Sequence, residues 1–248
     1  MFLKILLALV VLAEFYTVPK FLKYYWPKKC KQSLIFKMIS ATLFVLCGVL
    51  AMKVSGNNTS YASLMVLGLV FGWLGDYFLH SLKDRMIEFI IGVVAFLVGH
   101  LFYIAAFYHA LKTLKPDAKL LNWYDFVAVG IALALVVLYV IFMKIYQKKG
   151  PMVIGLILYG IFLTTMVVKA VLYMYAEWDY GINDNMVPAL LTVGVGSVFF
   201  FLSDLSLFFI LTGDEVKKKM RIFNIITYFI AQILLALSIL FVRSQIIV

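Results

Sequence analysis

Residues 61–82 read YASLMVLGLVFGWLGDYFLHSL, a run in which Asp76 is the one carboxylate and no lysine or arginine occurs. Coiled as an α-helix at 1.5 Å per residue, it is about 33 Å long, enough to cross the roughly 30 Å hydrocarbon layer of a bilayer. A barrel strand would alternate apolar and polar residues, and this run does not. Seven more apolar runs lie around it: 2–18, 34–52, 87–110, 124–143, 152–175, 187–212 and 222–242. The connections between them are short and polar, such as KVSGNNTS at 53–60, and leave no room for a soluble domain. The expected fold is all-α: a polytopic bundle of eight transmembrane helices forming one domain over 1–248.

Composition points the same way. Of 248 residues, 65% are hydrophobic and 14% charged, against roughly 25% charged in soluble domains. The net charge of +10 comes from basic connections, which argues for anionic lipid as the neighbour and against nucleic acid as a partner. Lysines and arginines at 20, 23, 28, 29, 31, 37, 83, 85, 144, 148, 149, 217, 218, 219 and 221 lie in or beside the odd-numbered connections; only 4, 53, 112, 115, 119 and 243 lie on the other side. Fifteen against six places the odd connections in the cytoplasm and both termini in the lumen or exterior. Asn57-Asn58-Thr59-Ser60, with two overlapping glycosylation sequons, falls on that lumenal side. The first run carries Glu14 and no convincing cleavage site, so it is expected to remain as an anchor. Cys30 and Cys47 should sit at different depths and stay unpaired, Cys30 being a candidate for acylation.

An internal echo is visible at an offset of 128. GLVFGWLGDYFL at 68–79 matches GSVFFFLSDLSL at 196–207 at six of twelve positions, Asp76 and Asp204 among them. An offset of four spans makes the two helices run in the same direction and implies a parallel 4+4 repeat.

Ionisable groups inside spans cost about 2.5–3.5 kcal/mol each at the bilayer centre, so each needs a partner, a water-filled cavity or a task. The candidates are Glu14, Asp76, His100, Lys169 and Asp204. Gly68, Gly72 and Asp76 share a face by their spacing of four, where small residues admit a neighbour closely. Phe96, His100, Tyr103 and Phe107 form a stripe on the fourth span; Tyr159, Phe162, Met166, Lys169 and Tyr173 form one on the sixth. Glu14 and Lys169 lie near span ends, where snorkelling is the ordinary explanation. Asp76 and Asp204 are too short to snorkel far, and they are expected to face one cavity at matched depth. His80, His100 and His109 fall at incompatible depths for a shared ion, so no metal is expected. The sequence contains no phosphate-binding loop and no nucleophile elbow.

GDYFL at 75–79, GHLFYIAAF at 99–107 and FLSDLSL at 201–207 together resemble the YhhN family of membrane proteins, over nearly the whole chain. The family's Lys-Pro step after the first span is reversed here, as Pro19-Lys20. The resemblance places the family's motif aspartates on Asp76 and Asp204 and its histidine on His100, with Tyr159 and Lys169 matching its sixth-span residues. It implies a lysoplasmalogenase: hydrolysis of the vinyl ether of lysoplasmalogens to a fatty aldehyde and glycerophosphocholine or glycerophosphoethanolamine, without a cofactor. Asp76 and Asp204 would be catalytic, and His100, Tyr103, Tyr159, Lys169 and Glu14 would bind or orient a lysophospholipid. The expected location is the endoplasmic reticulum membrane. A proton- or ion-coupled transporter and a non-enzymatic lipid-binding protein are the rival classes, since intramembrane carboxylates serve those too.

The basic bias yields a topology test. A tag at either terminus should stay inaccessible to antibody in cells whose plasma membrane alone is permeabilised; labelling of both termini would reverse the orientation.

Overall fold

The computed structural model describes residues 1–56, 60–83, 85–142, 145–181, 184–213 and 218–242, with the side chains of 145–154 and 156 left aside. Asn57–Thr59 of the sequons, together with Lys144, Lys217 and Arg243 of the basic count, lie outside the described residues. Eight helices are long and apolar enough to cross a membrane. They are α1 (Phe2–Tyr25), α2 (Lys31–Ser55), α3 (Ser60–Leu79), α4 (Met86–Leu114), α5 (Trp123–Phe142), α6 (Ile145–Tyr180), α7 (Met186–Thr212) and α8 (Lys218–Ser238). No strand occurs among the described residues.

Several helices outrun the apolar runs that announce them. The sequence ends the first span before Pro19, yet α1 continues through it to Tyr25. Tertiary packing explains the extension. Phe21 is 1% exposed, with ring contacts to Tyr25, His80 and Phe229 at centroid distances of 5.2, 5.3 and 6.2 Å. Burial of that ring offsets the one backbone bond a proline cannot make. α2 begins three residues early, at Lys31, because Cys30 and Ser33 cap it reciprocally: the Ser33 N–H donates to Cys30 Sγ at 3.4 Å, and the Cys30 N–H to Ser33 Oγ at 2.9 Å. Both cysteines are free thiols. α7 contains a π-helical turn at Leu191–Val195, shortly after Pro188. There Thr192 Oγ1 donates to the Pro188 carbonyl at 2.7 Å, which the Leu191 N–H also reaches.

Sequential helices pack as antiparallel neighbours, α1 with α2, α3 with α4 and α7 with α8, while α8 also lies against α2 and α4 against α6. A shift of four helices carries this set largely onto itself: α1–α2 onto α5–α6, α3–α4 onto α7–α8, α2–α3 onto α6–α7 and α2–α8 onto α6–α4. The match is approximate, since α1 touches α8 whereas α5 packs chiefly on α6. The main apolar core joins the helices around Phe44, Met65, Tyr103, Phe107, Met166 and Phe200, and a smaller cluster forms around Val140. α5 stands at the periphery, with only Asp125 and Val140 buried.

Asp125 is buried because of Lys169. The Lys169 ammonium, on α6, lies 2.7 and 2.8 Å from the two Asp125 oxygens, and the lysine is 0% exposed. The expected snorkelling of Lys169 does not occur. A carboxylate on the neighbouring helix satisfies it in place, and the Asn122 N–H donates to the same carboxylate at 2.7 Å. Removing one partner of a buried pair typically costs about 3–5 kcal/mol, because the other charge is stranded. Asp125→Asn should therefore lower the unfolding midpoint in detergent sharply. Adding Lys169→Met to it should restore most of the loss, as read by thermal unfolding of the purified protein.

Candidate functional site

Asp76 projects from α3 into a fully enclosed polar cluster and is 1% exposed. Its Oδ1 lies 2.9 Å from the Lys37 ammonium of α2, and its Oδ2 accepts from the Tyr228 hydroxyl of α8 at 2.9 Å. The chain of hydrogen bonds continues inward. The Gln232 amide donates to Tyr228 Oη at 3.0 Å, and Tyr103 of α4 donates to Gln232 Oε1 at 2.7 Å. Tyr228 and Gln232 are i, i+4, so one face of α8 supplies both.

Asp204, on α7, has different company. Its Oδ2 accepts from the Tyr159 hydroxyl at 2.6 Å and lies 3.4 Å from His100 Nε2. The other ring nitrogen, Nδ1, is 2.7 Å from the Phe96 carbonyl. A carbonyl can only accept, so Nδ1 carries hydrogen. Nε2 faces the carboxylate without forming a hydrogen bond among the described residues.

Aromatic rings lie between the two clusters. Phe200 packs edge-on against His100 at 5.0 Å and against Tyr103 and Tyr228 at 5.9 Å, and Phe96 against Tyr228 at 5.9 Å. Packed aromatic side chains thus stand between the two carboxyls. Two hollows of about 430 and 440 Å³ occur elsewhere, one on the outer face of α5 and one at the α3–α4 turn, and neither is lined by Asp76 or Asp204. The glycines of α3 make the packing possible. A Cβ on Gly68 would lie 2.3 Å from the Tyr103 ring, one on Gly75 2.5 Å from Phe96, and one on Gly72 2.7 Å from the Gln232 amide.

The offset of 128 seen in the sequence reappears here as geometry. It carries Asp76 to Asp204 and His100 to Tyr228, and the facing pairs are Asp76 with Tyr228, hydrogen-bonded, and Asp204 with His100, 3.4 Å apart. It also carries Gly75 and Phe96 to Ser203 and Asn224. Phe96 packs on Gly75, and Asn224 Nδ2 donates to the Ser203 carbonyl at 2.7 Å. Each half therefore completes the other half's aspartate.

The remaining sequence candidates divide. Tyr103 and Tyr159 fall within the two networks. Glu14 sits beside the first cluster, 6% exposed, accepting from Thr17 Oγ1 at 3.3 Å; Ser40 of α2 donates to that same Thr17 oxygen at 2.7 Å. Lys169 belongs to the separate pair with Asp125. The sequence reading missed Lys37, Tyr228 and Gln232. Lys37 was counted with the basic connections, although apolar residues flank it on both sides. Asn224, Tyr228 and Gln232 recur every four residues in an otherwise apolar span, a polar stripe that was there to be seen.

A membrane bundle with two enclosed aspartates on pseudo-equivalent helices is the class that fold and site define. The chain belongs to the YhhN family, whose family model matches residues 32–239. No curated protein and no solved structure matches it.

The glycine contacts order two substitutions. Gly68→Ala drives a methyl into the buried Tyr103 ring and should cost about 1–3 kcal/mol, the usual range for overpacking. Gly130→Ala on α5 meets no atom within 4 Å, so its stability loss should be smaller. Unfolding midpoints in one detergent check the order.

Proposed function

We propose that the chain hydrolyses the vinyl ether bond of lysoplasmalogens by general acid–base catalysis, with Asp204 as acid and Asp76 as base. The observation that carries the reading is the unlike company of two enclosed carboxyls. Asp76 is held by an ammonium and a phenol, while Asp204 is held by a phenol and faces an imidazole. One acid and one carboxylate, held apart by environment, are what such chemistry needs. Family membership supports the reading at the level of the resemblance.

The steps balance. The Asp204 proton passes to the β-carbon of the vinyl ether, and the ether oxygen donates electrons to form an oxocarbenium ion. Asp76, still anionic, stabilises that cation and takes a proton as water adds to the α-carbon. The hemiacetal hydroxyl returns a proton to Asp204 as the carbon–oxygen bond breaks, and Asp76 protonates the departing glycerol oxygen. One water is consumed, and an aldehyde and a glycerophosphodiester leave. Glycosidases use paired carboxyls around a related cation. His100 and Tyr159 hold the acid in place; Lys37 and Tyr228 hold the base. For the alkenyl chain to reach both carboxyls, the Phe200 ring between them must turn aside.

One observation favours the rival reading of a proton-coupled carrier: Lys37, Asp76, Tyr228, Gln232 and Tyr103 form a continuous hydrogen-bonded line into the bundle. Purified protein in detergent separates the two, since only an enzyme releases aldehyde without a gradient.

Acid–base groups contribute about 10²–10⁴-fold, so Asp76→Asn and Asp204→Asn should each lower aldehyde release from 1-alkenyl-glycerophosphoethanolamine by at least a hundredfold while expression persists. In D₂O the aldehyde, trapped by immediate reduction, should carry one solvent deuterium on the carbon next to the carbonyl. Near-normal turnover by either folded variant would exclude the two-carboxyl mechanism.

A further inference from the structure

Glu14 is placed unlike either aspartate. Because α1 runs on to Tyr25, this residue lies midway along the helix, about 17 Å from either end, too deep to snorkel. It is 6% exposed. Its Oε2 accepts from Thr17 Oγ1 at 3.3 Å, and its Oε1 is buried with no hydrogen-bond partner among the described residues. No described cation pairs with it. Lys37, which shares a face of α2 with Ser40 by their spacing of three, is committed to Asp76 at 2.9 Å. We infer that Glu14, Thr17 and Ser40 form a binding site for a monovalent metal cation, sodium, between α1 and α2.

The oxygens converge from two helices. Glu14 and Thr17 are three residues apart on α1, hence on one face. Ser40, 0% exposed on α2, donates to Thr17 Oγ1 at 2.7 Å and lies close enough to act on the Glu14 carboxyl as well. A hydroxyl oxygen carries two lone pairs, so Thr17 and Ser40 can both turn one toward an ion. Pro19, in the following turn, has no N–H for the Phe15 carbonyl. Carbonyls released from a helix in this way are among the groups that coordinate sodium inside membrane proteins. Hard cations take oxygen ligands, and this turn of α1 with Ser40 supplies carboxylate, hydroxyl and carbonyl oxygens together.

Charge selects the ion. Lys37 and Asp76 balance each other, so a single positive charge balances Glu14. A divalent ion would leave a surplus in hydrocarbon, where charge is costly. A transition metal would call for nitrogen or sulfur ligands, and no group of three His, Cys, Asp or Glu occurs among the described residues. A proton would neutralise the carboxylate and still leave Oε1 without a partner, and a bare buried polar atom is itself unfavourable. A cation meets both needs. Glu14 and Asp76 are near enough for their charges to interact, so an ion beside Glu14 alters the field at the first cluster without entering its hydrogen bonds. The site does not depend on the proposed hydrolysis.

The probe is sodium chloride, exchanged for N-methylglucamine chloride at constant ionic strength, with the full-length protein in a maltoside detergent. The readout is the thermal unfolding midpoint, followed by tryptophan fluorescence. A ligand that binds only the folded state raises that midpoint with the logarithm of its concentration above Kd. Sodium should do so, and potassium more weakly. Glu14→Gln should abolish the response and stay folded, because the amide is uncharged. Thr17→Val and Ser40→Ala should each raise the sodium concentration required by about tenfold, the loss of one good ligand; they decide the matter if Glu14→Gln does not fold. Thr165→Val, which removes a hydroxyl bonded within α6, should keep the full response. Equal midpoints in sodium and N-methylglucamine overturn the site, as does a sodium response that persists in Glu14→Gln. A midpoint that rises on acidification but not with sodium also overturns it, since the counter-charge would then be a proton. Unfolding reports each result whether or not the protein releases aldehyde, so failure here leaves the aspartate chemistry standing.

Discussion

A charge in hydrocarbon has no water to turn to, and this bundle answers that constraint across helices rather than along them. Lys37 of α2 meets Asp76 of α3, His100 of α4 meets Asp204 of α7, and Lys169 of α6 meets Asp125 of α5. Each pairing ties together two helices that apolar packing alone would leave free to slide. In lipid the apolar faces of helices gain little by choosing one neighbour over another, so polar contacts and close small-residue packing carry much of the specificity. The glycines of α3 serve the same end, because they bring Tyr103 and Gln232 near enough to extend the Asp76 network.

The two halves of the chain share these arrangements with unequal chemistry. An aspartate at the same register faces tyrosine in one half and histidine in the other, and the additional partner is an ammonium for one and a phenol for the other. A strictly symmetric site would give two carboxyls with the same proton affinity. The divergence at positions 100 and 228, and between Lys37 and Tyr159, gives the two carboxyls different partners.

Much of the architecture was legible in the chain. Eight apolar runs became eight helices, since hydrocarbon thickness fixes run length. Both aspartates, His100, Tyr103 and Tyr159 were singled out, because a polar group in an apolar run is conspicuous. The misses have physical causes. α1 passes Pro19 because Phe21 finds a pocket among residues over fifty and two hundred positions away, which no local reading of residues 15–25 contains. Lys37 seemed to belong to a basic loop because charge was counted by connection, while its flexible stem carries the ammonium to another helix. Asp125 looked like an ordinary residue at the start of a span, and its significance came only with Lys169 opposite. Pairings between distant residues are invisible to composition and periodicity alike.

The π turn of α7 has a bearing on how this sequence can change over time. A π turn adds a residue to a helix without lengthening its path by a full turn, so everything beyond Leu191–Val195 is rotated relative to everything before it. Gaining or losing one residue there would swing Asp204 by about 100° around the helix axis, out of reach of His100 and toward lipid. Exposed positions of α7, such as Leu191 and Val198, are free to drift among apolar residues. The number of residues between Pro188 and Asp204 is not free, so descent with modification in this helix should proceed by replacement and almost never by insertion or deletion.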